Sequence, residues 1–176
     1  MQQFENADAS PGQERPVPAP LSPADRFCLH ASRLWIVGRA PVMPGTCSSA
    51  AALLLAPFLF LPLSFSGRCA LLAALFLFGS LIASRAERIL DRKDPPELCI
   101  DEVPGMWLAL LPFDSPSLGV MLAAFILFRI FDIAKPWPVS ASEHWLPGGF
   151  GIMSDDIVAG FLAMLGTWLL TALKAL

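Results

Sequence analysis

Charge is scarce in this sequence: only 15% of its 176 residues are charged and 55% are hydrophobic, with a mean hydropathy of +0.60. Average soluble domains carry about 25% charged residues and are roughly 45–50% apolar. The composition therefore points to a membrane-embedded chain. The net charge of −3 gives no reason to expect nucleic-acid binding, which needs a basic footprint. The four cysteines, Cys28, Cys47, Cys69 and Cys99, stand singly, with no C-x-x-C pair and no Cys/His cluster. Zinc sites of the usual spacing are thereby excluded, and the thiols read as small, inert apolar side chains. Several phosphate-handling motifs are missing as well. There is no G-x-x-x-x-G-K-[ST] loop, no D-x-D pair and no C-x5-R, since Cys28 and Arg33 are one residue too close. His30 and His144 are the only histidines, and neither sits in a pattern suited to a phosphohistidine intermediate. Among phosphoryl chemistries, metal-assisted attack by water remains.

Residues 1–25 are polar, and Pro11, Pro16, Pro18, Pro20 and Pro23 fall close together. They lack the basic start and the apolar stretch of about 7–15 residues that mark a secretory signal, and they read as a disordered Pro-rich tail. Residues 26–176 read as one membrane-embedded domain. Five apolar runs follow, at 47–63, 69–83, 103–113, 118–128 and 157–173. The first two look like a helical hairpin, with Pro57 and Pro62 able to bend the first. The third and fourth fall short of the ~20 residues that span a bilayer. The expected fold is all-α and polytopic, with about four or five hydrophobic helical segments.

With five crossings and a cytoplasmic N-terminus, residues 1–46, 84–102 and 129–156 share one side. They carry Arg15, Arg26, Arg33, Arg39, Arg85, Arg88, Arg92, Lys93, Arg129 and Lys135, and leave only Arg68 and Lys174 elsewhere. An excess of Lys and Arg marks the cytoplasmic side. The dense polar motifs fall on that same side.

Those motifs are rich in carboxylates. Asp101 and Glu102 precede one apolar run, and Asp155 and Asp156 precede another. Each pair has a capping reading, because Asp is a favoured N-cap and acids are stabilised at a helix N-terminus. Neighbours on a helix diverge by about 100°, so one member of each pair is expected in a shared site. With Asp94 and Asp132 these acids would repel one another unless a hard cation such as magnesium, which favours oxygen ligands, were present. Arg129, Asp132 and Lys135 fall on one helical face by their i, i+3, i+6 spacing. Arg129 and Lys135 suit a phosphate ester, although an Arg129–Asp132 structural ion pair is the competing reading. Gly45 and Thr46 open the first run, where Thr46 reads as an N-cap and the free N–H groups as a phosphate cradle. Gly148, Gly149 and Gly151 read as a loop leading to Asp155.

Four blocks of this sequence resemble phosphatidylglycerophosphatase A over roughly residues 33–172. They are 38–46 with its Pro44-Gly45-Thr46 end, 94–105 with Ile100-Asp101-Glu102-Val103, 128–138 with Arg129, Asp132 and Lys135-Pro136-Trp137-Pro138, and 151–160 with Asp155-Asp156-Ile157. The sequence departs from that pattern at Ser48, where glycine is usual, and at Ser154, where an apolar residue is usual. The resemblance implies a magnesium-dependent inner-membrane enzyme that removes the terminal phosphate of phosphatidylglycerophosphate. Its active face would be cytoplasmic. Within that reading Asp101, Glu102, Asp155 and Asp156 hold the metal or activate water, and Asp132 and Asp94 assist. Arg129, Lys135, Gly45 and Thr46 bind substrate. A small ion carrier or channel subunit, or another headgroup phosphotransferase, are the alternatives; oligomeric state is left open.

Overall fold

The computed structural model describes residues 20–93 and 95–174, and among them every regular element is helical. The helices are α1 (Pro23–Ser32), α2 (Pro44–Leu59), α3 (Phe65–Leu90), α4 (Glu102–Ala109), α5 (Leu118–Ala134), α6 (Val139–Ser142) and α7 (Gly149–Ala172), with one 3-10 turn at Val37–Arg39. Each of the five apolar runs forms one helix, but with different limits. Two helices, α3 and α7, are long and apolar enough to cross a membrane, and α2 is a shorter apolar helix. The expected four or five hydrophobic helical segments thus include two of spanning length, while α4 has only 8 residues, about 12 Å of rise. The tail expected over residues 1–25 lies outside the described residues up to 19. Its last residues enter α1, where Ser22 and Asp25 form a reciprocal capping box.

Local sequence explains the helix limits. Ser64 and Ser117 accept hydrogen bonds from Gly67 N and Val120 N and so start α3 and α5. Pro44 stands in the first turn of α2, where its missing N–H has no intrahelical use. Asp91 and Lys135 end α3 and α5 in left-handed conformation, at φ 48° and 41°. Thr46 lies inside the first turn of α2, whose cap is Met43, so it is not the N-cap. Nor do Asp155 and Asp156 cap α7, which begins six residues before Asp155, at Gly149. The glycines read as a loop are helical at Gly149 and Gly151. A β carbon at Gly149 would strike the backbone of Ser80, and one at Gly151 that of Glu143, so tertiary packing overrides the low helix propensity of glycine.

Helix α7 is central and packs on α3, α4 and α5, while α2 packs on α4. The main core holds Phe60, Met106, Leu110, Phe128 and Val139. Trp107 stacks on Phe60 at 5.3 Å and donates its indole N–H to Ala52 O at 2.8 Å. At one end of the bundle Arg68, only 2% exposed, ties three chain segments together. It donates to Leu61 O, Leu63 O, Leu111 O and Phe113 O and pairs with Asp114 at 3.1 Å. The start of α3 thus meets the ends of α2 and α4, and successive helices alternate in direction. Apolar side chains cover the outside: Leu54 and Phe58 on α2, Phe78 and Leu81 on α3, Ile126 and Ile130 on α5, and Leu165 and Trp168 on α7 are all exposed. A patch of that extent marks contact with an apolar environment or partner.

Helices α4 and α7 meet backbone to backbone. A β carbon at Gly160 would overlap Gly105 O, and one at Gly105 would lie 2.7 Å from Asp156 O. Gly160→Ala is expected to destabilise the protein by about 1–3 kcal/mol, the usual range for overpacking. Thermal unfolding in detergent measures it. An unchanged midpoint would show that the two helices separate freely.

Candidate active site

Three carboxylates meet at the end of the bundle opposite Arg68. Glu102 is the first residue of α4, Asp132 lies in the last turn of α5 and Asp156 in the second turn of α7. One carboxylate oxygen from each lies within 4.8 Å of the others. Glu102 and Asp156 are buried and Asp132 is half-buried. Arg129, one turn before Asp132 on α5, reaches into this cluster. Its Nη1 lies 2.6 Å from Glu102 Oε2, 3.0 Å from Asp132 Oδ2 and 3.1 Å from Ser49 Oγ. Ser49 in turn lies 2.7 Å from Glu102 Oε2 and 2.8 Å from Gly45 O. Three carboxylates around one guanidinium leave two surplus negative charges when all are ionised.

Helix α2 closes the site through its smallest residue. A β carbon on Gly45 would collide with Glu102 Oε1, so a side chain here would push the carboxylate out of its present position. Buried polar atoms are left over here. Asp156 Oδ2 and Arg129 Nε are buried with no hydrogen-bond partner among the described residues. An unpaired buried carboxylate oxygen is costly. Together with its two neighbours it fits the donor set of a hard, oxygen-seeking cation.

The structure divides the carboxylate pairs named from sequence. Glu102 and Asp156 enter the cluster, joined by Asp132. Asp101 stands at the N-cap position of α4 without a side-chain capping bond. Asp155 turns to Lys135, whose Nζ lies 2.6 Å from its Oδ2. The sequence-based metal set of Asp101, Glu102, Asp155 and Asp156 thus differs from the clustered set of Glu102, Asp132 and Asp156. Both members of the Arg129–Asp132 pair are present, with Glu102 as a further partner. Thr46 has its hydroxyl buried without a partner and lines a cleft beside Arg129. Asp94 lies outside the described residues.

Two residues were not singled out from sequence as site residues. Ser49 entered only as part of a departure from a family pattern. Its spacing of four from Gly45, which puts both on one helical face, was the available signal. Glu143 joins a second network, 3.8 Å from Lys135 and 3.2 Å from Lys93. Partial burial raises its carboxyl, but the Lys93 hydrogen bond and the Lys135 charge outweigh that and hold it below its usual range. The cysteines are free and dispersed. Burial pushes the Cys99 thiol up to about 12, which leaves it protonated and unreactive at neutral pH.

Comparison with known proteins adds to this geometry. The phosphatidylglycerophosphatase A family model matches residues 31–171. Phosphatidylglycerophosphatase A of Escherichia coli is 33% identical over 130 residues, covering 72% of this chain and 73% of that protein. Its Haemophilus influenzae namesake is 34% identical over 122 residues, covering 69% and 75%. A Bacteroides thetaiotaomicron protein provisionally named a phosphatidylinositol-3-phosphatase is 36% identical over 128 residues, covering 70% and 80%. No solved structure matches significantly. The matched range of 31–171 includes every residue of the carboxylate–arginine cluster, and the chain belongs to the phosphatidylglycerophosphatase A family.

Proposed function

We propose that this protein hydrolyses phosphatidylglycerophosphate to phosphatidylglycerol and inorganic phosphate at the cytoplasmic face of a bacterial inner membrane, with magnesium. The observation that carries this reading is the juxtaposition, at one end of an apolar bundle, of three clustered carboxylates and an arginine with an unused edge. Glu102, Asp132 and Asp156 would hold the magnesium ion. When bound, that ion neutralises phosphate charge and lowers the pKa of coordinated water. Arg129 keeps Nη1 on the carboxylates and turns its remaining N–H groups to the phosphate. Ser49 fixes Glu102 and Arg129 relative to each other. Lys135 and Asp155 hold the end of α5 against α7 and add charge at the rim. Water replaces the lipid alkoxide at phosphorus, and the alkoxide takes up a proton to become the free hydroxyl of phosphatidylglycerol.

The ion-carrier reading needs charges spread along the depth of the membrane. Here Glu102, Asp132 and Asp156 gather at one end, and the relatives' names speak for a phosphatase. The absence of a D-G-x2-A-R signature counts against a phosphatidyltransferase. The test is turnover of purified protein on phosphatidylglycerophosphate beside phosphatidylinositol-3-phosphate, with and without chelator. Hydrolysis of the first, lost with chelator and restored by magnesium, is the expected result. Preference for the inositol lipid would reassign the substrate, and chelator-resistant turnover would remove the metal.

Orientation has its own test. Cysteines introduced at 86–92 or 143–147 are expected to label from the cytoplasm, and at residues 65–67 from the opposite side. Labelling of all of them from one side would break the alternating topology.

A further inference from the structure

The carboxylate cluster is flanked by a cleft of about 480 Å³ between the start of α2 and the outer face of α5. Its wall is almost wholly apolar: Met43, Phe125, Ile126, Ile130 and Ile133 line it, and Arg129 supplies the charge. Thr46 adds one hydroxyl, buried and unpartnered. We infer that this cleft seats the acyl-glycerol part of a phosphomonoester lipid, which enters sideways between α2 and α5 with its phosphate at Arg129. The inference rests on the proposed function and deepens it.

Three observations support this occupant. First, the cleft and the cluster share a residue: Arg129 lines the cleft and contacts Glu102 and Asp132. A bound molecule must therefore be apolar along its length and anionic at one end. Second, the order along the helix suits a lipid. Helix α5 climbs toward the site, so Ile133 and Ala134 stand at the mouth near the polar motifs. Phe125 and Ile126 stand deeper, about 10 Å away along the axis. A headgroup at the mouth and a chain running inward match that polarity. Third, Ile126, Ile130 and Ile133 are exposed and recur at i, i+4, i+7, a continuous apolar stripe. Their outer sides are open for lateral entry.

The experiment combines a substitution with a labelling readout. Ile126→Trp fills the deep end at an already exposed position. Leu122→Trp, also exposed but outside the cleft, is the control. Ile126→Trp is expected to lower kcat/KM on dioleoyl phosphatidylglycerophosphate by about tenfold, the effect of losing roughly two buried methylene groups. Turnover of the fully deacylated headgroup phosphate should be unchanged. Equal losses on both substrates, or no loss on the dioleoyl lipid, would overturn the inference. Independently of turnover, phosphatidylglycerophosphate with a diazirine near the acyl carbonyl should mark Thr46, Phe125 or Ile126 in the wild-type protein. Unlabelled phosphatidylglycerophosphate should suppress that labelling and phosphatidylcholine should not. Equal suppression by both lipids would reduce the cleft to ordinary lipid-facing surface, and cross-links between two copies at Ile126 would give the face to a subunit contact. Specific labelling without hydrolysis would instead defeat the proposed reaction and leave the lipid site standing.

Discussion

Asp156→Asn is expected to lower turnover by more than about 100-fold, and Asp155→Asn by clearly less, within the about 10–100-fold range of groups that only support metal ligands. The two side chains are adjacent in sequence, yet one joins Glu102 and Asp132 while the other is held by Lys135. The amide keeps nearly the same volume, so the buried position stays filled and the protein is expected to insert and fold. The same contrast applies to Glu102→Gln, the larger loss, against Asp101→Asn. Steady-state kinetics at saturating magnesium, repeated across a magnesium titration, decides the matter. A metal ligand also shifts the magnesium dependence, which a merely structural acid does not. A greater loss at Asp155 than at Asp156, or near-normal turnover in Asp156→Asn, would disprove the clustered triad as the working set.

Arg129→Lys and Arg129→Ala should fail in different ways. All three polar contacts of Arg129 are made by Nη1. A single ammonium can take over that position, so Arg129→Lys is expected to fold. It cannot reproduce the planar fork that grips two phosphate oxygens, and activity should fall by about 100-fold or more, as when one transition-state donor is removed. Arg129→Ala strands two carboxylates beside a third and is expected to destabilise the protein by about 3–5 kcal/mol. The measurements are unfolding midpoints in detergent and turnover of the folded fraction. Full activity in the lysine variant would make Arg129 a structural counter-ion and nothing more.

Much of the architecture was legible because apolar patterning is read locally. The five hydrophobic runs each became a helix. Their lengths were not legible in the same way. The runs at 103–113 and 118–128 are equally short, yet the first gives a helix that stops at Ala109, where the following turn is tied to Arg68 through Leu111 and Phe113, partners far away in sequence. Helix α7 starts earlier than expected because its glycines are packed against α3 and the turn that follows α6, where a side chain would not fit. In the site, the residue types were visible but their allocation was not. Sequence spacing gave two equivalent acidic pairs; only the position of Lys135 separates Asp155 from Asp156, and only the reach of Arg129 brings Asp132 in. Ser49 was hidden because its four-residue spacing from Gly45 marks a shared helical face but does not name the acid it meets across the gap, Glu102.

The contact of Gly105 with Gly160 has a consequence for how this protein can vary. Gly105 lies one turn after Glu102, and Gly160 one turn after Asp156. The spacing between these two acids is therefore gauged by main chain touching main chain rather than by interlocking side chains. Side chains on the outside of α3 and α7 take no part in that gauge. They can be exchanged to suit bilayers of different thickness or fluidity while the acids keep their separation. A lipid-facing surface free to drift around a fixed reaction centre is what an enzyme needs if its solvent is the membrane its own product helps to build.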